Sequence, residues 1–137
     1  MIREPLRVLF VCVENSNRSQ MAEAFARIHG GDEIEAFSAG SRPSGRINPK
    51  AIEAMREKGY DLTQQRSKSL GDVPQVPFDA AVTMGCGDAC PLVLARVRDD
   101  WQIPDPREMN QDEFRAVRDR IEREVVALLA RLKASRS

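Results

Sequence analysis

Aromatic side chains are scarce in this 137-residue chain, which has five Phe, one Trp and one Tyr, 5% of the total. A cleft that grips an aromatic substrate by stacking needs several of them in one place, and no such slot is evident. An excess of one charge is missing too. The 21 Lys and Arg balance the 21 Asp and Glu, so nothing global favours nucleic acid or an anionic membrane as a partner. No apolar run approaches the ~20 residues that span a bilayer. The N-terminal MIREPLR carries basic residues without an apolar segment and cleavage site behind it, so a cytoplasmic location is expected. Histidine occurs once, as His29, and cysteine only three times, as Cys12, Cys86 and Cys90. An odd number with no secretion signal argues against a disulfide framework. These cysteines are then buried fillers, metal ligands or redox-active thiols. A metal site at Cys86 and Cys90 lacks an obvious third and fourth ligand, because His29 lies on a helix far away in sequence.

What is present has the size and balance of one globular domain over residues 1–137, with 42% hydrophobic and 31% charged residues. Leu6–Val11 is a continuous apolar run, the pattern of a parallel strand covered on both faces. Met21, Ala24, Phe25 and Ile28 then form a helical stripe that Gly30-Gly31 stops. Glu33–Gly40 reads as a second strand on Ile34, Ala36 and Phe37. Asn48 and Pro49 make an N-cap and first helical position for a helix closing at Gly59. Phe78–Met84 is a third strand, and the stretch before it is mostly irregular. A final helix over about residues 111–133 carries Phe114, Val117, Ile121, Val125, Leu128 and Leu132 at spacings of 3, 4, 4, 3 and 4. Its charged RxxRDRIERE stretch reads as a solvated face, and His29 as a surface residue. Strands alternating with helices predict an α/β single domain, a parallel sheet with helices on both faces. Ligands of such sheets bind beyond the carboxyl ends of the strands. Cys12, the 85–90 turn and the Asp105 loop all fall at such ends.

The first strand runs straight into Cys12, and Arg18-Ser19 follow at the start of a helix, a C-x5-R-S spacing. Thiolate is the reactive form of cysteine, and a helix N-terminus with a nearby cation favours that form. Five intervening residues let the N–H groups of Val13, Glu14, Asn15, Ser16 and Asn17 point inward as a nest around a tetrahedral oxyanion. Arg18 adds two fork donors, Ser19 can bond the thiolate, and Asn15 suits a left-handed position in so tight a loop.

CVENSNRS resembles the loop of the low-molecular-weight protein tyrosine phosphatases and of the arsenate reductases that share their fold. VLFVC, NRSQMAEAFAR, SAG, NPKAIEAMREKGYDL, VTM and DP also follow that family's order along nearly the whole chain. The resemblance implies a four-stranded parallel sheet, and makes Asp105 of IPDP the general acid that protonates the leaving oxygen. Three features favour the reductase branch over a phosphomonoesterase working through a Cys12 phosphoenzyme. They are the second and third thiols in TMGCGDACP, the NRSQMAE sequence, and Arg107-Glu108 where tyrosine phosphatases usually carry aromatics. The resemblance then implies that Cys12 attacks arsenate, with phosphate or sulfate able to mimic it in the loop. A thiol–disulfide relay through Cys86 and Cys90 follows, no cofactor is tightly bound, and an external thiol reductant is required. Weak phosphatase activity would accompany it. Cys86 and Cys90 are only three residues apart, closer than in the best-known thioredoxin-coupled relatives. Either could resolve first, and a glutaredoxin- or mycothiol-type donor stands beside thioredoxin. Where some relatives carry an acidic potassium ligand this chain has Lys68, which supplies the positive charge itself, so no bound metal is expected. Trp101 is expected to pack behind the Asp105 loop.

Overall fold

The computed structural model describes residues 4–85 and 93–136. Its first strand, β1, is Leu6–Cys12, in which Val8, Leu9, Phe10 and Val11 are each at most 1% exposed. That burial on both faces explains the unbroken apolar run. Helix α1 (Arg18–Gly30) leads to strand β2 (Ile34–Gly40) and helix α2 (Pro49–Arg56). Strands β3 (Phe78–Thr83) and β4 (Ala95–Asp100) and helix α3 (Gln111–Arg136) complete the order. All strands are parallel, in the spatial order β2-β1-β3-β4. The chain departs from β1 toward β2 on one side and returns to β3 on the other. Cys12 therefore ends its strand at the point where the strand order reverses, the place where open α/β sheets hold ligands.

One face of the sheet carries Leu6, Val8 and Phe10 in a single apolar cluster with all three α-helices. On the other face Leu9, Val11, Ala39, Val73 and Phe78 lie beneath a short 3-10 helix, Leu70–Asp72. Helical pieces thus cover both faces. Asn48 caps α2 through its side chain, which accepts from Lys50 N at 2.9 Å. The six apolar positions predicted for α3 are all buried.

Three readings change. The strand β4, ARVRDD, is not legible from its residues because it is an edge: only Ala95 and Val97 are apolar, and its charges face solvent where they discourage edge pairing. Helix α1 is not a one-sided stripe. Every residue from Arg18 to Ala26 is buried, since the helix lies between the sheet and α3, and it emerges only in its last turn, where Ile28 is 41% exposed. The charges on α3 are not wholly solvated either. Arg118 is buried, and its Nη1 donates to Ala54 O near the end of α2 at 3.0 Å and to Glu57 Oε1 at 2.6 Å. A guanidinium there satisfies a helix-end carbonyl that has no partner within its own helix. Hydrogen bonds from Arg115 and Arg118 hold the Glu57 carboxyl down at about 2, from an ordinary 4.5. Among the described residues no helix is long and apolar enough to cross a membrane.

Candidate active site

Cys12 is the last residue of β1 and is 3% exposed. The five residues after it reach Arg18, where α1 begins. Their shape follows from where the carbonyls go. Ser41 N, Arg42 N and Ser44 N donate outward to the carbonyls of Cys12, Val13 and Glu14, and Asn48 N does so to Ser16 O. Gln20 Nε2 donates to Asn15 O at 3.0 Å. In a trans peptide the N–H points opposite to the C=O, and no peptide here is cis. Five outward carbonyls therefore turn the N–H groups of residues 13–17 toward the other side, as the spacing predicts for an anion nest. Asn15 adopts φ 52°, the only non-glycine positive value among the described residues. It is the left-handed corner of the loop.

Ser19 Oγ lies 2.8 Å from Cys12 Sγ, and Asn15 Nδ2 donates to the same Oγ at 2.8 Å. The Asn15 bond takes one of the two serine lone pairs, and either the hydroxyl or the thiol can be the donor in the contact with sulfur. Arg18 Nη1 donates to Ile103 O at 2.9 Å, and its Nη2 stands 4.0 Å from Asp105 Oδ2. The Cys12–Arg18 loop and the Asp105 loop are thus joined at the one guanidinium. Asp105 Oδ1 accepts from Arg107 N at 3.1 Å, and Arg107 Nη1 reaches Glu14 at 3.0 Å. Lys50 Nζ holds the far side of that segment through Arg107 O and Met109 O.

A cavity of about 620 Å³ opens over these groups. Cys12, Val13, Glu14, Ser16, Asn17 and Arg18 line it on the loop side, with Gly85, Arg42, Ile103, Pro104, Asp105 and Arg107 around them. None of these side chains is aromatic. Arg42 is the lining residue that sequence reasoning misses. Its only signal is a place just past the end of β2, on the edge where Cys12, Arg18 and Asp105 gather. Asn17 Oδ1 is buried with no hydrogen-bond partner among the described residues. Trp101 is buried, 5.9 Å from the Phe10 ring, as expected of a packing residue.

Lys68 fills a spot beside α1. Its Nζ lies 3.4 Å from Glu23 Oε1, 3.3 Å from Ser38 Oγ and 3.1 Å from Arg66 O. A buried carboxylate, a hydroxyl and a carbonyl converging on one ammonium are oxygen ligands of the kind a small cation takes. The side chain provides that charge. Among the described residues no group of three or more His, Cys, Asp or Glu side chains could hold a metal ion. His29 is at the surface, 2.7 Å from Glu122. Cys86 and Cys90 lie outside the described residues. The chain enters their segment beside Arg18, since a Cβ on Gly85 would sit 2.7 Å from Arg18 Nη1.

A sequence model described as low molecular weight phosphotyrosine protein phosphatase matches residues 7–137. A Synechocystis protein named glutaredoxin arsenate reductase is 36% identical over 129 residues, 92% of this chain and 98% of its own. An arsenate reductase from Bacillus licheniformis is 40% identical over 124 residues, covering 83% of this chain and 88% of the relative. Among solved structures, an arsenate reductase in the phosphate binding state superposes with a TM-score of 0.85 at 35% identity, over 93% of this chain and 98% of that one. A thioredoxin-dependent arsenate reductase from Corynebacterium glutamicum gives 0.78 at 29% identity, over 98% of this chain and 65% of its own.

Proposed function

This chain belongs to the low molecular weight phosphotyrosine protein phosphatase family, and from that premise we propose that it is a cytoplasmic, thiol-dependent arsenate reductase. The observation that carries the proposal is the site itself. Cys12 sits under Ser19 in an anion nest, Arg18 and Asp105 stand 4.0 Å apart above it, and the rim is charged and free of aromatics. Such a rim suits a small inorganic oxyanion and offers a phenyl ring nothing to stack on. The relatives named arsenate reductase point the same way.

In the first step the Cys12 thiolate attacks arsenic while Arg18 and the loop N–H groups hold the oxyanion charge. Asp105 gives its proton to the departing oxygen, which leaves as water. Asn17 Oδ1, an acceptor without a donor among the described residues, is satisfied by an O–H of the protonated oxyanion. Cys86 then attacks the Cys12 sulfur. Two electrons pass to arsenic, which leaves as arsenite, and a Cys12–Cys86 disulfide remains. Attack by Cys90 on Cys86 frees Cys12 and moves the disulfide to Cys86–Cys90. Thioredoxin, or a glutaredoxin- or mycothiol-type donor, restores the two thiols. The order of Cys86 and Cys90 can be reversed without altering the balance.

Reduced protein is incubated with arsenate, and free thiols and arsenite are counted. Loss of two thiols for each arsenite released is expected, with turnover once thioredoxin or a glutaredoxin system is added. Undiminished turnover in a Cys86→Ser, Cys90→Ser double variant would remove the relay. Hydrolysis of p-nitrophenyl phosphate more efficient than arsenate reduction, with no reductant needed, would instead assign a phosphatase.

A further inference from the structure

Beyond the nucleophile loop, five polar side chains form an unbroken line that ends on the Cys12 sulfur. Tyr60 OH donates to Gln65 Oε1 at 2.8 Å, and Gln65 Nε2 to Gln20 Oε1 at 2.7 Å. Gln20 Nε2 donates to Asn15 Oδ1 at 2.8 Å, Asn15 Nδ2 to Ser19 Oγ at 2.8 Å, and Ser19 Oγ lies 2.8 Å from Cys12 Sγ.

The direction of this line is not arbitrary, because a backbone group pins each amide. Lys68 N donates to Asn15 Oδ1 at 3.0 Å. A backbone N–H cannot accept, so the Asn15 oxygen must face it and the Asn15 nitrogen must face Ser19. Gln20 Nε2 also donates to Asn15 O and to Arg66 O, and Gln65 Nε2 also donates to Gln20 O. Carbonyls cannot donate, so both amide nitrogens are fixed in turn. The Gln65 oxygen is left to face Tyr60, whose hydroxyl must donate. Desolvation by burial raises the Tyr60 phenol above its ordinary value, which keeps that proton in place. The four links from Tyr60 to Ser19 therefore all point their protons toward Cys12, and a Ser19 hydroxyl that donates to the sulfur continues the same direction; aligned hydrogen bonds strengthen one another.

We propose that Tyr60, Gln65 and Gln20 are positioning residues for the nucleophile, holding Asn15 in its left-handed corner and delivering the Ser19 proton to the Cys12 thiolate. The proposal rests on Cys12 being the nucleophile, as in the reading above, but not on arsenate being the substrate. A Cys86→Ser, Cys90→Ser background leaves Cys12 as the sole thiol. In that background Tyr60→Phe removes the outermost donor, and Gln65→Glu keeps the acceptor for Tyr60 while losing the donor to Gln20. The iodoacetamide alkylation rate of Cys12 at fixed pH is measured with the dissociation constant of inorganic phosphate and the unfolding midpoint.

Loss of the Tyr60 donor should slow alkylation about threefold to fivefold in Tyr60→Phe. A charge that turns the Gln20 amide around would slow it about tenfold or more in Gln65→Glu. Phosphate binding should change less than about twofold in Tyr60→Phe, because backbone N–H groups hold the carbonyls of Cys12, Val13, Glu14 and Ser16 that turn the nest inward. Alkylation at the unsubstituted rate in Gln65→Glu would overturn the proposal. Parallel loss of alkylation, phosphate affinity and thermal stability would overturn it too, by showing a role in folding alone. Absence of arsenate reduction by the protein with all three cysteines, with these alkylation effects intact in the Cys12-only background, would count against the reductase assignment and leave the positioning line standing.

Discussion

Replacing Gly40 by Ala should damage the site from behind. Gly40 ends β2, in register with Cys12, and its N–H donates to Lys68 O at 2.8 Å. A Cβ there would lie 2.6 Å from Val13 O and 3.1 Å from both Asn15 N and Asn15 Cβ. Two of those three atoms are backbone, so no side chain can swing aside. Ordinary contact begins at 3.4 Å, so the nucleophile loop must retreat by about 0.8 Å. Overpacking of this kind costs about 1–3 kcal/mol, a fall in unfolding midpoint of roughly 3–10 °C for a chain of this size. The effect on rate should be larger, because a misplacement near 1 Å at a reacting centre costs on the order of 100-fold. Arsenite release by the reduced protein should therefore drop about 10- to 100-fold. Gly71→Ala is the matched control, since its Cβ would meet nothing closer than Ser69 Oγ at 3.6 Å. Turnover in Gly40→Ala within about twofold of the unsubstituted protein, at an unchanged melting temperature, would refute the reasoning.

Lys68→Met should destabilise the fold by about 1–3 kcal/mol in urea titrations, because it withdraws the ammonium from the buried Glu23 carboxylate. Arg27 and Ser38 still reach Glu23 and limit the loss; an unchanged urea midpoint would show the ammonium to be idle. Glu57 predicts the acid side of the stability profile. Its folded carboxyl titrates at about 2 against an ordinary 4.5, so its contribution is full above the higher value and fades as pH falls through the lower one. The gap between the unsubstituted protein and Glu57→Gln should be constant above pH 4.5 and vanish near pH 2. A gap that widened on acidification would contradict that sign.

Much of this molecule is legible in its residues alone. The apolar run before Cys12 suits a strand buried on both faces, and β1 is one. The α3 spacing places six apolar residues inward, and all are buried. Asn48 and Pro49 announce the start of α2. Misreadings come where neighbours distant in sequence set the environment. Nothing in ARVRDD marks it as the edge of a sheet. Ile28 continues the stripe of α1 but lies in the turn that leaves the core, and Arg118 has the look of a solvated charge until α2 ends beneath it.

The site divides the same way. C-x5-R-S between a strand and a helix already reads as an oxyanion nest around a thiol, because the chemistry it calls on is local: backbone N–H groups, one sulfur, one guanidinium. Folding decided which groups surround that nest. The 41–48 segment pulls the loop carbonyls outward, Ile103 and Asp105 meet Arg18 across 85 and 87 residues of chain, and Lys68, Gln65 and Tyr60 lock the loop from behind. Those contacts have no signature in composition or spacing. They exist because parallel strands bring their carboxyl ends to one edge, whatever the distance along the chain that separates them.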